Sequence, residues 1–198
     1  KPKDGPSTTL ALRKGLYSAL DRQAVSEVMS GGLAPIADSY FPPDHALRQD
    51  LQPFIPQFPY DPTRAAQYFT DGGWPRGADG VLTHSTNGDR FEQEIWAREG
   101  AGNDKLISVI ADFWKKAGVD QTIYVIPAAQ RGNAELEATR SGLLIVNPSG
   151  NNPYEIDRLH TKNIPSAANR WSSNNYGGYS NPKADVLVDK DRKSTRLN

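Results

Sequence analysis

Apolar residues recur at helical spacing near the start of the chain. Four of them are spaced by four and therefore share one helical face: Leu12, Leu16, Leu20 and Ala24. Asp21 interrupts this pattern with a side chain that can accept hydrogen bonds from the free N–H groups of a new helix, and the glycine pair at residues 31–32 suits a helix end. We therefore predict two short helices rather than one long helix.

Proline dominates the next stretch, residues 33–60. Proline has no N–H group to donate to a sheet or a helix, and six occur here: Pro35, Pro42, Pro43, Pro53, Pro56 and Pro59. We predict a long ordered loop. Asp61 and Pro62 then favour a helix start, because aspartate can cap free N–H groups and proline is tolerated at the first helical position. This helix is expected to end near Asp71, before a pair of glycines.

The middle of the chain alternates between strand and helix patterns. Residues 90–98 and 119–127 predict strands, with apolar alternation in the first and a β-branched run in the second. Between them, residues 103 and 104 are expected to cap a helix with these apolar positions: Leu106, Ile107, Ile110, Phe113 and Trp114. A short helix at 133–140 and a strand at 143–146 follow. Strand, helix and strand in this order predict an α/β fold.

Composition excludes several classes of protein. The 198 residues carry 23 basic and 23 acidic side chains, and 37% of them are hydrophobic. No apolar run approaches the roughly 20 residues that cross a bilayer, and no block of like charges indicates a nucleic-acid partner. The absence of cysteine excludes a disulfide scaffold, a thiol nucleophile and a thiolate metal site.

The residues that usually carry catalysis or metal binding are scattered. The three histidines, His45, His84 and His160, have no metal-ligand spacing. No nucleophile elbow or phosphate-binding loop occurs. Glu92 and Glu94 lie two apart on a predicted strand and so share one face, but a solvated strand face explains them better than a glycosidase pair. We expect no catalytic residue, metal or cofactor.

An uncharged stretch rich in aromatic and amide side chains is the strongest candidate site. Residues 169–182 read NRWSSNNYGGYSNP. Its rings can stack on a ligand and its amides can both donate and accept hydrogen bonds; the candidates are Asn169, Trp171, Asn174, Asn175, Tyr176 and Tyr179. A binding cleft and a structured loop anchored by its aromatic residues explain this stretch equally well.

Several motifs in order resemble one family. They are the helix pair at 12–32, SYFPP at 39–43, YDPTRA at 60–65, GGW at 72–74, WKKAGV at 114–119 and GGYSNP at 177–182. Together they are similar to the peptide and nickel type solute-binding proteins of ABC importers, over nearly all of residues 10–190. The resemblance implies an α/β fold, one lobe of the two-lobed type II periplasmic-binding-protein architecture of the peptide-binding class, truncated at both ends.

The resemblance also implies a function and further ligand contacts. A receptor of this family is not an enzyme; it closes two lobes around a peptide or other small solute and delivers it to a membrane permease. The loop at 146–154 is similar to a family loop in which an acidic residue often binds the α-amino group of a peptide. In this chain the loop offers Asn147, Asn151 and Asn152 instead. It has no acidic residue before Glu155. A buried ammonium group needs a countercharge, and this loop supplies none. A blocked peptide, an oligosaccharide or another neutral solute is therefore as compatible with the loop as a peptide with a free amino group.

The remaining expectations concern boundaries and context. Residues 1–190 are expected to be a partial C-terminal ligand-binding lobe. Residues 191–198 read DRKSTRLN, which matches the translation of a common sequencing adapter and predicts a non-native tail. We expect a monomer without a nucleic-acid partner that is periplasmic or extracellular and either free or lipid-anchored. The targeting signal is expected to be absent from these residues. The alternatives are an extracellular carbohydrate-active enzyme domain and a structural lobe that binds nothing.

Overall fold

A parallel sheet of three strands lies at the centre of the computed structural model, which describes residues 9–39, 47–100, 102–145 and 153–195. The strands are β1 (Glu92–Arg98), β2 (Asp120–Ile126) and β3 (Leu143–Ile145). Their order is β2-β1-β3, and both pairings are parallel. The middle strand β1 therefore has a hydrogen-bonded neighbour on each side, and the predicted α/β arrangement is confirmed.

Seven α-helices lie within the described residues. They are α1 (Leu10–Ser18), α2 (Arg22–Ser30), α3 (Arg48–Leu51), α4 (Pro62–Asp71), α5 (Asn103–Lys116), α6 (Ala134–Thr139) and α7 (Pro182–Thr195). Shorter 3-10 helices are Gln52–Phe54, Ala128–Gln130, Pro153–Leu159, Thr161–Asn163 and Ala167–Asn169. No helix of this described part is both long and apolar enough to cross a bilayer.

The predicted helix pair at the start of the chain is confirmed. Asp21 Oδ1 accepts a hydrogen bond from Ala24 N at 3.0 Å and so caps α2. Gly31 ends α2 in the left-handed conformation, with φ of 61°. The start of α4 is confirmed in the same way, since Asp61 Oδ1 accepts from Arg64 N at 2.9 Å. Local capping chemistry therefore sets these boundaries.

Two sequence-based expectations need correction. The stretch 33–60 is not one loop, because residues 47–55 hold α3 and the 3-10 helix after it; Pro53 stands early in that helix, where a missing N–H is tolerated. The residue that precedes α5 is Gly102, with φ of 77°, not Asn103. Asn103 is instead buried and donates from Nδ2 to Arg98 O at 2.8 Å, which fixes the end of β1.

The hydrophobic core forms where α1, α4 and α5 meet one face of the sheet. Its largest members include Leu12, Leu16, Phe69, Phe91, Ile95, Ile107 and Trp114. The ring of Trp114 also donates from Nε1 to Leu16 O at 2.8 Å, so its single polar group is satisfied within the core. The core therefore ties the amino-terminal helices to the α/β unit.

Helix α7 is attached by charged groups. Asp185 Oδ1 accepts from Thr161 N at 2.9 Å, and this bond holds the pKa of Asp185 below its ordinary value. The ring nitrogens of His160 lie 3.5 Å from Asp185 and 3.5 Å from Asp189, one helical turn apart. These contacts hold both ends of residues 160–185 close together.

Helices α1 and α4 approach each other unusually closely at Gly15. A Cβ atom on Gly15 would lie 2.7 Å from Cε1 of Phe69, which is fully buried. Alanine normally favours a helix over glycine by about 1 kcal/mol. We expect Gly15→Ala to be destabilising here, by about 1–3 kcal/mol, because overpacking outweighs that preference.

Urea denaturation of the purified chain measures this effect. The matched control is Gly15→Ala combined with Phe69→Leu, which makes room for the added methyl group; it should be less destabilised than the sum of the two single variants. A higher free energy of unfolding for Gly15→Ala than for the wild type would contradict the close approach of α1 and α4.

Candidate ligand-binding site

Four polar side chains converge at the carboxyl edge of the sheet. Arg98 is the last residue of β1, Glu137 and Arg140 belong to α6 and its end, and Tyr176 belongs to the aromatic segment, residues 169–182. Ligands of open α/β sheets bind outside the carboxyl ends of the parallel strands. We refer to these four residues as the arginine cluster.

The centre of the arginine cluster is a bidentate ion pair. Arg98 donates from Nε and Nη2 to the two carboxylate oxygens of Glu137, at 2.7 and 2.6 Å. The Glu137 side chain is 3% exposed and that of Arg98 is 42% exposed. The hydrogen bonds from Arg98 hold the pKa of Glu137 below its ordinary value and raise the pKa of Arg98. Glu137 is therefore a buried anion that depends on its partner.

A second guanidinium group makes the cluster cationic. Arg140 lies over the ring of Tyr176, 5.4 Å from its centroid, and donates from Nη1 to the backbone oxygen of Glu137. Its Nε is buried and has no hydrogen-bond partner in the described part of the chain. Burial lowers the pKa of Arg140, since a charged group is costly to desolvate. Two guanidinium groups thus face one carboxylate.

Tyr176 connects the arginine cluster to the aromatic segment. Its hydroxyl group donates to Glu137 Oε2 at 3.4 Å, and burial, followed by the charge of Glu137, raises its pKa. Of the predicted site residues whose placement is described, Tyr176 is the one that contacts this cluster. Sequence reasoning missed the other three members; the position of Arg98 at the end of a predicted strand was the available signal.

Two of the predicted amides are occupied within the aromatic segment. Asn175 is 3% exposed; its Nδ2 donates to three backbone oxygens, those of Leu159, His160 and Tyr179, and its Oδ1 accepts from Tyr179 N at 3.0 Å. Asn169 accepts from Ser166 N and donates to Ile164 O, both at 2.9 Å. These two amide side chains satisfy backbone groups of the segment that have no partner in a helix or a sheet.

Trp171 and Asn174 lie at the surface of the same segment. Trp171 is partly exposed and Asn174 is exposed. Arg170 and Trp171 have φ values of 53° and 59°, a left-handed conformation that side chains other than glycine rarely adopt. Such strain concentrates at ligand-binding sites. The predicted contacts Asn147, Asn151 and Asn152 lie outside the described residues.

The remaining polar candidates that the structure describes form no metal-binding cluster, and His45 lies outside the described residues. Within residues 9–39, 47–100, 102–145 and 153–195, no three histidine or acidic side chains come close enough to hold a metal ion. Glu94 accepts hydrogen bonds from Trp96 Nε1 at 3.0 Å and from Ser141 Oγ. It lies in the body of β1, away from the carboxyl edge.

Comparison with solved structures defines the class of fold. The oligopeptide-binding protein of Thermus thermophilus, solved with a pentapeptide, matches with a TM-score of 0.74 at 23% identity, over 91% of this chain and 32% of that one. NikZ of Campylobacter jejuni, solved with Ni(L-His), matches with a TM-score of 0.73 at 22% identity, over 93% of this chain and 36% of that one. The fold is that of periplasmic binding proteins of the peptide-binding class.

Sequence comparison identifies the family. Residues 1–176 match the bacterial extracellular solute-binding proteins, family 5, in their middle part. The chain belongs to this family. It is also similar to the glutathione-binding protein GsiB of Salmonella typhimurium, at 36% identity over 138 residues, which are 69% of this chain and 23% of that protein. The chain thus spans about a quarter of the length of this relative.

The ion pair of Arg98 and Glu137 predicts acid sensitivity. The folded-state pKa of Glu137 is lowered, so its contribution to stability is complete above the ordinary carboxyl pKa of about 4.3 and is lost as the pH falls below that value. We expect Glu137→Gln to lower the free energy of unfolding at pH 7 by about 2 kcal/mol, because Arg98 is half exposed and partly solvated without its partner.

Urea denaturation at pH 7 and at pH 3 measures both effects. The difference between wild type and Glu137→Gln should shrink at the lower pH, because the carboxyl group is protonated in the unfolded chain there and must lose its proton to form the ion pair on folding. Glu135→Gln is the matched control, since Glu135 is exposed on the same helix. An equal loss of stability at both pH values would contradict the assignment of Glu137 as a buried anion.

Proposed function

We propose that residues 1–190 are part of the C-terminal lobe of a solute receptor that serves an ABC importer. The receptor captures a small solute between two lobes and delivers it to a membrane permease. Family membership, the fold and the position of the arginine cluster at the ligand edge of the sheet support this function. The solute must bind the closed form more tightly than the open form, since only a difference in affinity shifts that equilibrium.

The observation that carries the proposal is the surplus cation of the arginine cluster. Arg98 is neutralised by Glu137, whereas Arg140 has a buried Nε without a partner in the described residues. A buried guanidinium group is stabilised by a carboxylate that forms paired hydrogen bonds with it. We propose that the solute is a peptide or a similar molecule whose carboxylate group binds Arg140. An oligosaccharide, which the sequence also allowed, offers no such charge.

The aromatic segment supplies the second set of contacts. We propose that Trp171, Asn174 and Tyr176 face the solute, and that the occupied amides of Asn169 and Asn175 hold the segment in shape. The strained backbone at residues 170–171 supports a ligand role for Trp171. The proposed role of Asn147, Asn151 and Asn152 rests on their position in the sequence directly after β3.

The receptor is proposed to act without chemical conversion of its solute. The relatives named above are a glutathione-binding protein and an oligopeptide-binding protein. An enzyme domain would depend on Glu92 and Glu94, but these lie in the amino-terminal half of β1, whereas α/β sites form at the carboxyl ends of strands. We also propose a periplasmic or extracellular monomer, either free or lipid-anchored.

Removal of the Arg140 charge tests the function. In the full-length protein, Arg140→Gln should weaken the binding of glutathione or trialanine by at least about tenfold, because a lost charged hydrogen bond is worth about 1.5–3 kcal/mol. Isothermal titration calorimetry measures the affinity. Arg64→Gln, on the surface of α4, is the matched control and should bind as the wild type does.

The peptide itself provides a second arm of this experiment. Trialanine amide has no terminal carboxylate for Arg140. It should therefore bind the wild type as weakly as trialanine binds Arg140→Gln, and its affinity should be the same for both proteins. Equal affinity of wild type and Arg140→Gln for trialanine would remove Arg140 from the site. Chemical conversion of the peptide would contradict the receptor function itself.

Replacement of Trp171 tests the aromatic segment. Trp171→Ala should weaken binding by at least about fivefold, since a ring that stacks on a ligand contributes about 1 kcal/mol or more. Calorimetry of the full-length protein again gives the affinity. Tyr179→Ala is the control within the same segment, because Tyr179 is 44% exposed and contacts Asn175 through its backbone. Unchanged affinity in Trp171→Ala would exclude the ring from the site.

A further inference from the structure

A cavity opens to solvent between α4 and α5. Its volume is about 130 Å³. Two of the residues that line it belong to the hydrophobic core: Ala19, which follows α1, and Leu82 are 3% and 2% exposed. The cavity therefore ends against the packed core, and a ligand that enters it meets apolar atoms at the bottom.

Largely apolar side chains also line the sides of the cavity. Along α4, Pro62, Ala66 and Thr70 are spaced by four and therefore present one helical face to it. On the α5 side, Phe113 packs edge-to-face against Tyr60, with ring centroids 5.8 Å apart and an interplanar angle of 76°. The ring of a ligand can join such a pair in the same edge-to-face geometry.

Two exposed cationic side chains stand at the rim of the cavity, Arg76 and Lys116. Lys116 is neutralised, because its Nζ lies 2.7 Å from Asp112 Oδ2. Arg76 donates from Nε to Gly80 O at 2.7 Å and from Nη2 to Lys116 O at 2.8 Å. These bonds fix the guanidinium group, and no carboxylate in the described part of the chain pairs with it. The rim therefore carries one surplus positive charge.

The cavity lies at the opposite edge of the sheet from the arginine cluster. Lys116 and Ala117, which line the cavity, come at the end of α5, just before β2 begins at Asp120. In the parallel sheet this is the amino edge, whereas the arginine cluster lies at the carboxyl edge. The strand β1 between the two edges has seven residues and spans about 23 Å. A small molecule in the cavity therefore leaves the proposed solute site free.

We propose that this cavity binds a small aromatic monocarboxylate. One benzene molecule occupies a protein cavity of roughly 150 Å³, so the volume allows a single ring and little more. The apolar floor and the aromatic pair suit the ring, and the remaining N–H groups of Arg76 suit one carboxylate group. A sugar would leave hydroxyl groups unpaired against this floor, and a phosphate dianion would exceed the single surplus charge. The inference does not depend on the solute of the receptor.

A titration of the full-length protein with benzoate, followed by ligand-observed NMR, tests the proposal. We expect saturable binding with a dissociation constant of about 1 mM, as is typical of so small a ligand. Benzamide has the same shape but no charge. It should bind at least about tenfold more weakly than benzoate, because a hydrogen bond between two charged groups is lost.

Variants assign the binding to the cavity. Ala66→Leu adds three carbon atoms inside the cavity and should abolish benzoate binding, and Arg76→Gln should weaken it by at least about tenfold. Arg64→Gln is the matched control, because Arg64 lies on α4 outside the cavity lining. Circular dichroism checks that each variant is folded, and Thr70→Leu replaces Ala66→Leu if that variant does not fold.

Three results would overturn the proposal: no saturable binding of benzoate, equal affinity for benzoate and benzamide, or binding that Arg140→Gln removes and Ala66→Leu does not. The last result would place benzoate in the proposed solute site. Binding that depends on Ala66 and Arg76 but not on Arg140 supports the cavity. This readout does not involve the solute, so failure of the proposed receptor function and failure of this inference are distinguishable.

Discussion

The placement of β1 between two parallel neighbours is the constraint on which the rest of the structure depends. Because both edges of β1 are paired, its side chains can point only to the two faces of the sheet. One face receives Ile95 and Ala97 into the core that α1, α4 and α5 build. The strand ends at Arg98, whose backbone oxygen is held by Asn103 and whose guanidinium group turns toward α6. The core and the arginine cluster are thus fixed by the same short strand.

The arginine cluster follows from that placement. The connection from β2 to β3 must cross β1, and α6 is the part of it that meets the end of the strand. A carboxylate as deeply buried as Glu137 needs a countercharge, and Arg98 meets this need while half of its own side chain stays in water. Arg140 and Tyr176 then share the space above this pair. A positive charge thus lies at the carboxyl edge of the sheet, at the ends of β1 and α6.

The sequence predicted the elements of this fold better than their contacts. Asp21 and Asp61 cap N–H groups only three residues away, so their role could be recognised locally. Gly102 was missed as the residue before α5 because Asn103 suits that position equally well by type. The partnership of Arg98 and Glu137 spans 39 positions and depends on strand order, which no local pattern reveals. For the aromatic segment, the composition indicated side chains that form hydrogen bonds. It could not reveal that Asn175 forms them with the backbone of its own segment.

The buried amide of Asn175 has a consequence for the chemistry that this position accepts. Its nitrogen faces three carbonyl oxygens, while its oxygen receives one N–H group. Aspartate has the same shape, but it would set a carboxylate oxygen against those three carbonyl oxygens in a dry environment. Deamidation, which exchanges one nitrogen for one oxygen, would therefore turn attraction into repulsion and open the segment without any change in side-chain volume. The shape of the aromatic segment depends on the identity of a single atom.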